Sequence, residues 1–219
     1  MYRTIRVTGK GRLSIKPDVT RLNLSLEGME KEYDAALKLS SNSTEALKAT
    51  LEQFGFERKD LKTLHFNIEA VYESYQAKDR SWKQRFEGYR YSHHLKVEFH
   101  SDNVRLGKIL YALGHCEVSP EIRIEYTISD PENAKNELLA KAVADSKAKA
   151  VILADAAGVT LGEITTIDYS WADLEFVSRP MNKMMLCEDA AAPTGSYDLD
   201  IEADDIDVED TVTVIWKIS

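Results

Sequence analysis

Apolar side chains recur at every second position along much of the chain. The clearest case is Leu22, Leu24 and Leu26, and a longer one extends from Tyr89 to Phe99. Successive side chains of a strand point to opposite faces, so this period predicts strands with one buried face. Further segments of this kind are 5–7, 13–15, 59–72, 121–129, 161–171 and 205–218.

Three segments predict helices instead: 31–54, 101–114 and 130–158. Each begins or ends with an ordinary boundary signal. Examples are the cap at Ser101-Asp102, the capping carboxylate and proline of Asp130-Pro131, and the glycine Gly114. The third helix carries a narrow stripe of mostly small side chains, suited to close packing on a sheet. That stripe comprises Leu139, Ala142, Ser146, Ala150 and Leu153.

The order of elements predicts an α+β fold, with antiparallel sheets, helices packed on one face and two lobes. Residues 1–62 and 130–219 are expected to form an outer lobe, and residues 63–129 an inner lobe inserted into it. Residues 173–196 are expected to be a loop. Together they are predicted to form one domain over residues 1–219.

Gly9-Lys10-Gly11 superficially resembles a phosphate-binding loop. Such a loop requires a different glycine spacing and an immediate helix, whereas Ser14 stands where a third glycine belongs and another strand follows. We therefore predict that the glycines mark a bulge or tight bend between two short strands.

The charge balance excludes several classes of partner. The net charge is −9, which opposes non-specific binding to nucleic acid and to anionic lipid. No apolar run approaches the length of a membrane-spanning helix, and the amino terminus has no apolar stretch typical of a signal peptide. As written, the chain is expected to be cytoplasmic, and periplasmic if a leader has been removed.

Histidines and cysteines offer no clear metal site. His93 and His94 are neighbours on a predicted strand and point to opposite faces, while His65 lies beside His94 only if the hairpin register allows it. Cys116 and Cys187 are too few for a thiolate cage and are expected to be plain thiols. We expect neither a metal nor a cofactor.

The acidic segment 198–210 partly matches a calcium loop. Asp198, Asp200, Glu202 and Glu209 occupy ligand positions, but Ala203 stands where the turn requires glycine. An acidic edge strand around Leu199 explains the pattern better.

A locally basic segment, KDRSWKQR, lies between two predicted strands that should pair as a hairpin with a long tip. It is either a solvated loop or an arm that contacts a partner or a second subunit. In the second case the contacts are Arg80, Trp82, Lys83 and Arg85, because Trp and Arg are favoured in interfaces. No arrangement of nucleophile, base and orienting group occurs in the sequence, so we do not expect an enzyme.

Several short motifs together resemble the SIMPL-domain family, which includes bacterial periplasmic immunogenic proteins and a protein linked to oxidative stress defence. They occur in order along nearly the whole chain: Gly9-x-Gly11, Pro17-Asp18, Asn42, Gly55, Asp60-Leu61-x-Thr63, Gly88-Tyr89, Ala142-Val143-x-Asp145-Ser146-x-x-Lys149-Ala150, Leu161-Gly162 and Val212-Thr213-Val214. The chain departs from the family in showing no signal peptide and in its Ser146, where alanine is more usual.

The resemblance implies an α+β domain with no agreed catalytic residues. Some members form ring-like or channel-like assemblies, and a mammalian member is a kinase-associated signalling adaptor. We therefore expect a non-enzymatic, self-assembling interaction protein, with a role in stress response. The alternative is a small-ligand or metal-binding module, with His65, His94 or Tyr91 in a cleft between the lobes.

Overall fold

A computed structural model describes residues 3–169, 174–179 and 202–219. The fold is α+β, as predicted, with two antiparallel sheets and three helices among these residues. In chain order the elements are β1 (Arg3–Ile15), β2 (Val19–Glu30), α1 (Tyr33–Glu52), β3 (Lys62–Gln76), β4 (Trp82–His100), α2 (Asn103–Gly114), β5 (Glu121–Thr127), α3 (Pro131–Ala156), β6 (Leu161–Tyr169), β7 (Val177–Ser178) and β8 (Ile206–Ile218).

The chain divides into two compact units. Within the described residues the first contains 3–18, 127–178 and 203–219, and the second contains 19–126 together with 179 and 202. This division differs from the predicted lobes in the placement of residues 19–62. The reason is that β2 pairs with β4 along its whole length and α1 packs on both strands.

The first unit is built on the three-stranded sheet β1-β8-β6. β1 pairs with β8 without interruption from Arg3 opposite Ile218 to Ile15 opposite Ile206. The predicted bulge or bend at Gly9-Lys10-Gly11 is therefore wrong, and the two short strands predicted there form one continuous strand.

The two glycines of β1 are explained by the helix that packs on them. A Cβ on Gly9 would collide with the carbonyl oxygen of Ala142, and one on Gly11 would collide with that of Leu138. The backbones of β1 and α3 therefore approach more closely than any side chain would permit. The buried stripe of α3 is made of small residues and one leucine: Ala134, Leu138, Ala142, Ser146, Ala150 and Ala154. Leu153, predicted to belong to it, is largely exposed.

The second unit packs large side chains instead. Leu22, Leu24 and Leu26 of β2 are almost completely buried, and they contact a core supplied by α1, α2 and β4. Both predicted helix starts with a carboxylate are confirmed: Asp102 accepts from the Arg105 N–H at 3.0 Å, and in the first unit Asp130 accepts from the Asn133 N–H at 2.9 Å. In the described part of the chain, no helix has both the length and the apolar character needed to cross a bilayer.

The hairpin of β3 and β4 is longer than predicted, and its tip is shorter. Gln76 pairs with Trp82, so only Ala77–Ser81 form the turn. The prediction of a long polar tip is wrong because this part of the hairpin extends away from the core. Its polar residues lie on strands that do not need a buried face.

Candidate functional site

Strand β3 forms one end of the second sheet and pairs with β4. Its other edge has no neighbouring strand among the residues that the structure describes. All of its residues are exposed except Ile68 and Val71, which are half-buried. An edge of this kind presents a row of backbone N–H and C=O groups to any strand that approaches. Four of its large side chains are 41–56% exposed: Leu64, Phe66, Tyr72 and Tyr75.

Two bulges interrupt the pairing of β3 with β4. Leu64 is the extra residue on β3, because Thr63 lies opposite Leu95 and His65 lies opposite His94. The second bulge is on the β4 side, where Glu87 has no partner. β3 itself is therefore regular from His65 to Gln76.

Aromatic rings continue along one face of the hairpin beyond the core. Tyr72 packs against Phe86, Phe86 against Tyr89, and Tyr89 against Tyr33 at the start of α1. The ring centroids are 5.3–5.6 Å apart in edge-to-face geometry, which aromatic pairs favour. Tyr72, Phe86 and Tyr33 remain about half exposed. We call Tyr33, Tyr72, Phe86 and Tyr89 the aromatic face.

The four predicted partner contacts do not form one surface. Trp82 is 73% exposed and lies on the same side of the hairpin as the aromatic face. Lys83 and Arg85 alternate with it and point to the opposite side. Arg85 is held in two ion pairs, with Glu73 at 2.6 Å and with Glu87 at 2.7 Å.

Arg80 lies in the turn and has a positive φ of 65°. The neighbouring Asp79 carboxylate accepts hydrogen bonds from the hydroxyl (2.6 Å) and the N–H (3.0 Å) of Ser81, which lower the pKa of Asp79. The turn is thus fixed by its own polar groups. The local excess of positive charge is largely matched by nearby carboxylates.

The edge strand β1 differs from β3, because side chains of α3 bind its backbone. Asp145 accepts from the Lys10 N–H at 2.7 Å, and Ser146 donates to the Val7 carbonyl at 3.3 Å. Lys149 pairs with Asp145 at 2.6 Å. The hydrogen bonds from Lys149 and Lys10 lower the pKa of Asp145. We call Asp145, Ser146 and Lys149 the polar clamp, because together they hold α3 to the backbone of β1.

The hairpin register brings two histidines together. His65 lies opposite His94, and their rings stack with centroids 5.8 Å apart. Both ring nitrogens of His94 contact hydroxyls, of Ser25 at 2.9 Å and Ser92 at 3.2 Å. Within the described ranges, no three side chains of the metal-binding types converge around them or elsewhere.

His93 points to the opposite face, as predicted, and is buried. Its ring nitrogens contact the hydroxyls of Thr44 at 3.1 Å and Thr63 at 2.9 Å. Burial, followed by the nearby charges of His94 and Lys48, lowers the pKa of His93. The neutral imidazole therefore links α1 to the edge strand β3.

A cavity of about 400 Å³ lies on the polar face of the second sheet. Its basic groups already have partners: Arg21 donates to Glu98 at 2.6 Å, and Lys96 donates to the same carboxylate at 3.1 Å. Burial tends to raise the pKa of the lining Glu125, but hydrogen bonds from Arg179 and Asn23 leave it lowered. The cavity thus combines apolar lining from Leu24, Leu64 and Leu95 with charged side chains that are already paired.

The acidic segment does not assemble as a calcium loop in the part that is described. Glu209 lies on β8, where its carboxylate pairs with Lys10 at 2.6 Å and Arg12 at 3.0 Å. Asp198, Asp200 and the predicted acidic edge strand lie outside the described residues.

One of the two cysteines can be placed. Cys116 is a free, half-buried thiol whose Sγ donates to the Leu113 carbonyl at 3.0 Å. It packs against the core just after the end of α2, as a free thiol like the one the sequence predicted. Cys187 lies outside the described residues.

Comparison with known proteins gives a family rather than an activity. A family model described as SIMPL, protein of unknown function (DUF541), matches residues 5–216. The chain belongs to the SIMPL family. Among curated SIMPL relatives, the 26 kDa periplasmic immunogenic protein of Brucella melitensis is 30% identical over 98% of this chain and 84% of its own length. The protein of the same name from Brucella abortus is 29% identical over the same shares.

Two of the SIMPL motifs, Gly9-x-Gly11 and the motif from Ala142 to Ala150, lie where β1 meets α3, and this placement gives them a structural reason. Gly9 and Gly11 admit the helix, while Asp145, Ser146 and Lys149 bind the strand. Sequence reasoning found these residues but not the open edge of β3. Alternation shows that a segment is a strand, whereas its position in the sheet depends on pairing between distant segments.

Proposed function

We propose that the chain is a non-enzymatic, self-assembling interaction protein in which the open edge of β3 pairs with a second copy. One observation carries the proposal: a strand of 15 residues, nearly all of them exposed, ends its sheet, and among the described residues no strand pairs with its outer edge. Strand addition at such an edge supplies main-chain hydrogen bonds, and alternate side chains supply specificity.

β3 also has few of the features that normally prevent edge pairing. Proteins protect edges with lysines, prolines, bulges or very short strands. β3 contains no proline, and its lysine, Lys62, lies at its first position. The bulge at Leu64 is close to the same end. The remaining residues form a long, regular template.

The first unit also has a sheet edge, on β6, but this edge is less suitable for pairing with a second copy. β6 has nine residues, and its register with β8 shifts at two places, around Ile164. An irregular strand presents its backbone groups in uneven directions. We therefore assign self-assembly to β3, with the aromatic face adding apolar area beside it.

The test is the mass of the protein in solution across the micromolar range, measured by light scattering. Wild-type protein is expected to be larger than one chain. Tyr72→Lys places a charge on the edge and is expected to reduce the mass to that of a monomer. Val104→Lys is the matched control, because Val104 is also apolar and at least as exposed as Tyr72 but lies on α2. A strictly monomeric wild-type protein would refute the proposal.

The cavity beside His94 supports a second candidate, binding of a small polar ligand. A ligand that binds only the folded state raises the melting temperature, and the shift keeps growing with the logarithm of ligand concentration above the Kd. A panel of metabolites and metal ions, read by thermal shift, tests this. A shift that Ser25→Ala abolishes supports it, and a panel without any shift rejects it.

We further infer a periplasmic location. The named relatives are periplasmic proteins, and the match spans nearly all of this chain. Fractionation of the native host should recover the protein with the periplasmic contents. Recovery with the cytoplasmic contents would contradict this.

A further inference from the structure

We propose that two copies pair their β3 strands antiparallel about a two-fold axis at Ala70, with Ile68 of each copy opposite Tyr72 of the other. This register rests on the proposed function, since it specifies how the open edge is used. Closed two-fold pairing presents the same surface from both copies. Residues at equal distances on either side of Ala70 then meet.

The length of regular edge is the first restriction. The bulge at Leu64 disturbs the direction of the backbone groups there, so the usable template extends from His65 to Gln76. Pairing about Ala70 uses this stretch from His65 opposite Tyr75 onward. A pairing centred nearer Leu64 would bring the bulge of each copy into the interface.

Symmetry is the second restriction. Directly opposed residues of an antiparallel pair lie on the same face, and side chains alternate along each strand. For two identical strands, the two-fold axis must therefore pass through a residue rather than between two residues. Close to the middle of the regular edge the choices are Glu69, Ala70 and Val71.

Charge separates these three choices. An axis at Glu69 places that carboxylate opposite its own copy, and an axis at Val71 places Glu69 opposite Glu73 twice. Like charges directly opposed across strands are destabilising. An axis at Ala70 places Glu69 opposite Val71 and Glu73 opposite Asn67. It is the arrangement without opposed carboxylates.

The side chains that meet in this register also complement one another. On the face shared with the aromatic residues, Ile68 meets Tyr72 on both sides of the axis, and the small Ala70 meets itself. Pairs of an aromatic and a β-branched residue are among the favourable cross-strand combinations. Tyr72, about half exposed in one copy, would become covered.

Cysteine cross-linking tests the register. In a Cys116→Ser, Cys187→Ser background, the variants Glu69→Cys, Ala70→Cys and Val71→Cys are oxidised and separated on a non-reducing gel. Directly opposed residues have Cα atoms about 4.5–5.5 Å apart, within the range of a disulfide, whereas diagonal neighbours at about 7–8 Å are beyond it. We expect Ala70→Cys to form at least tenfold more covalent dimer than either neighbour alone.

A mixture supplies a positive control for the same register. Glu69→Cys and Val71→Cys are opposed to each other, so mixing the two proteins should restore the cross-link that each lacks alone. Strongest self-linking by Glu69→Cys or by Val71→Cys would overturn the proposed axis. Light scattering of the cysteine-free background distinguishes a wrong register from a failure of self-assembly. An assembled protein without the Ala70 link refutes only the register, and a monomer refutes self-assembly itself.

Discussion

The strands β1 and β3 both end a sheet, yet their edges are handled in opposite ways. β1 lies under α3, whose Asp145 and Lys149 bind its backbone at Lys10 and Thr8. β3 pairs with β4 on one side, and no described strand lies on the other. One edge is closed by the chain itself, and the other is left available.

The difference shows that only one of the two edges depends on residues of particular types at particular positions. Closing β1 requires two glycines, a stripe of small helical residues and a polar clamp. They include two of the family's motifs, Gly9-x-Gly11 and the motif from Ala142 to Ala150. The open edge of β3 needs only ordinary alternation, which is why it attracts less notice in the sequence.

The largest effect is expected from Gly9→Ala, which breaks the closed edge. The added methyl collides with backbone atoms of Ala142 and Ser146, so α3 must move away from β1. Overpacking of this kind costs about 2–3 kcal/mol of unfolding free energy. Urea denaturation measures it, with the exposed Ser14→Ala on the same strand as the control. Equal stability of both variants would contradict the close approach.

A smaller effect is expected from Asp145→Ala, which removes the clamp but leaves the glycines. The Lys10 N–H loses its acceptor, and the melting temperature should fall by a few degrees. Asp145→Asn keeps an acceptor oxygen and should recover part of that loss. Calorimetry of the two variants decides this. An alanine variant as stable as wild type would show that the clamp does not stabilise β1.

The open edge should respond to pH through His93. Because its pKa is lowered in the folded state, its contribution is complete above the ordinary value of 6.5 and is lost as the pH falls below it. The hydrogen bond between His93 and Thr63 places this loss next to β3. Denaturation at pH 7.5 and pH 5.5 should show a smaller pH effect in His93→Gln than in wild type. Equal pH effects would refute the assignment.

The smallest effect on folding is expected from Trp82→Ala. Trp82 is 73% exposed, and substitutions at such positions change stability by about 0.5 kcal/mol or less. If the aromatic face takes part in assembly, the solution mass should fall. Lys83→Ala is the control, because Lys83 points to the opposite side of the hairpin. Identical masses for both variants would remove this face from the interface.

Local signals predicted local structure well. Asp102 and Asp130 were identified as helix caps because the capping bond joins residues three apart. The purpose of Gly9 was missed because it depends on Ala142, far along the chain. The hairpin strands between Tyr72 and Tyr89 were mistaken for a loop, since a strand without a buried face carries no apolar period.

The same distinction between signals close in sequence and contacts between distant segments applies to the candidate site. Alternation at Leu64, Phe66 and Ile68 revealed a strand, and the stacking of His65 on His94 was foreseen as dependent on register. That β3 ends the sheet could not be read from alternation, because it depends on which strands pair. The predicted partner contacts near the hairpin turn do not share one surface. Trp82 points to one side and Lys83 and Arg85 to the other, because side chains alternate along a strand.

The connectivity of the first unit has a consequence for biosynthesis. Its central strand, β8, is translated after every other strand, although it pairs with β1, the earliest. During synthesis β1 therefore stays without its partner strand until β8 has been made. Most of the second unit is encoded by residues 19–126, which are made well before β8. A nascent chain is therefore expected to acquire protease resistance first within residues 19–126 and, in the first unit, only after β8 has been made.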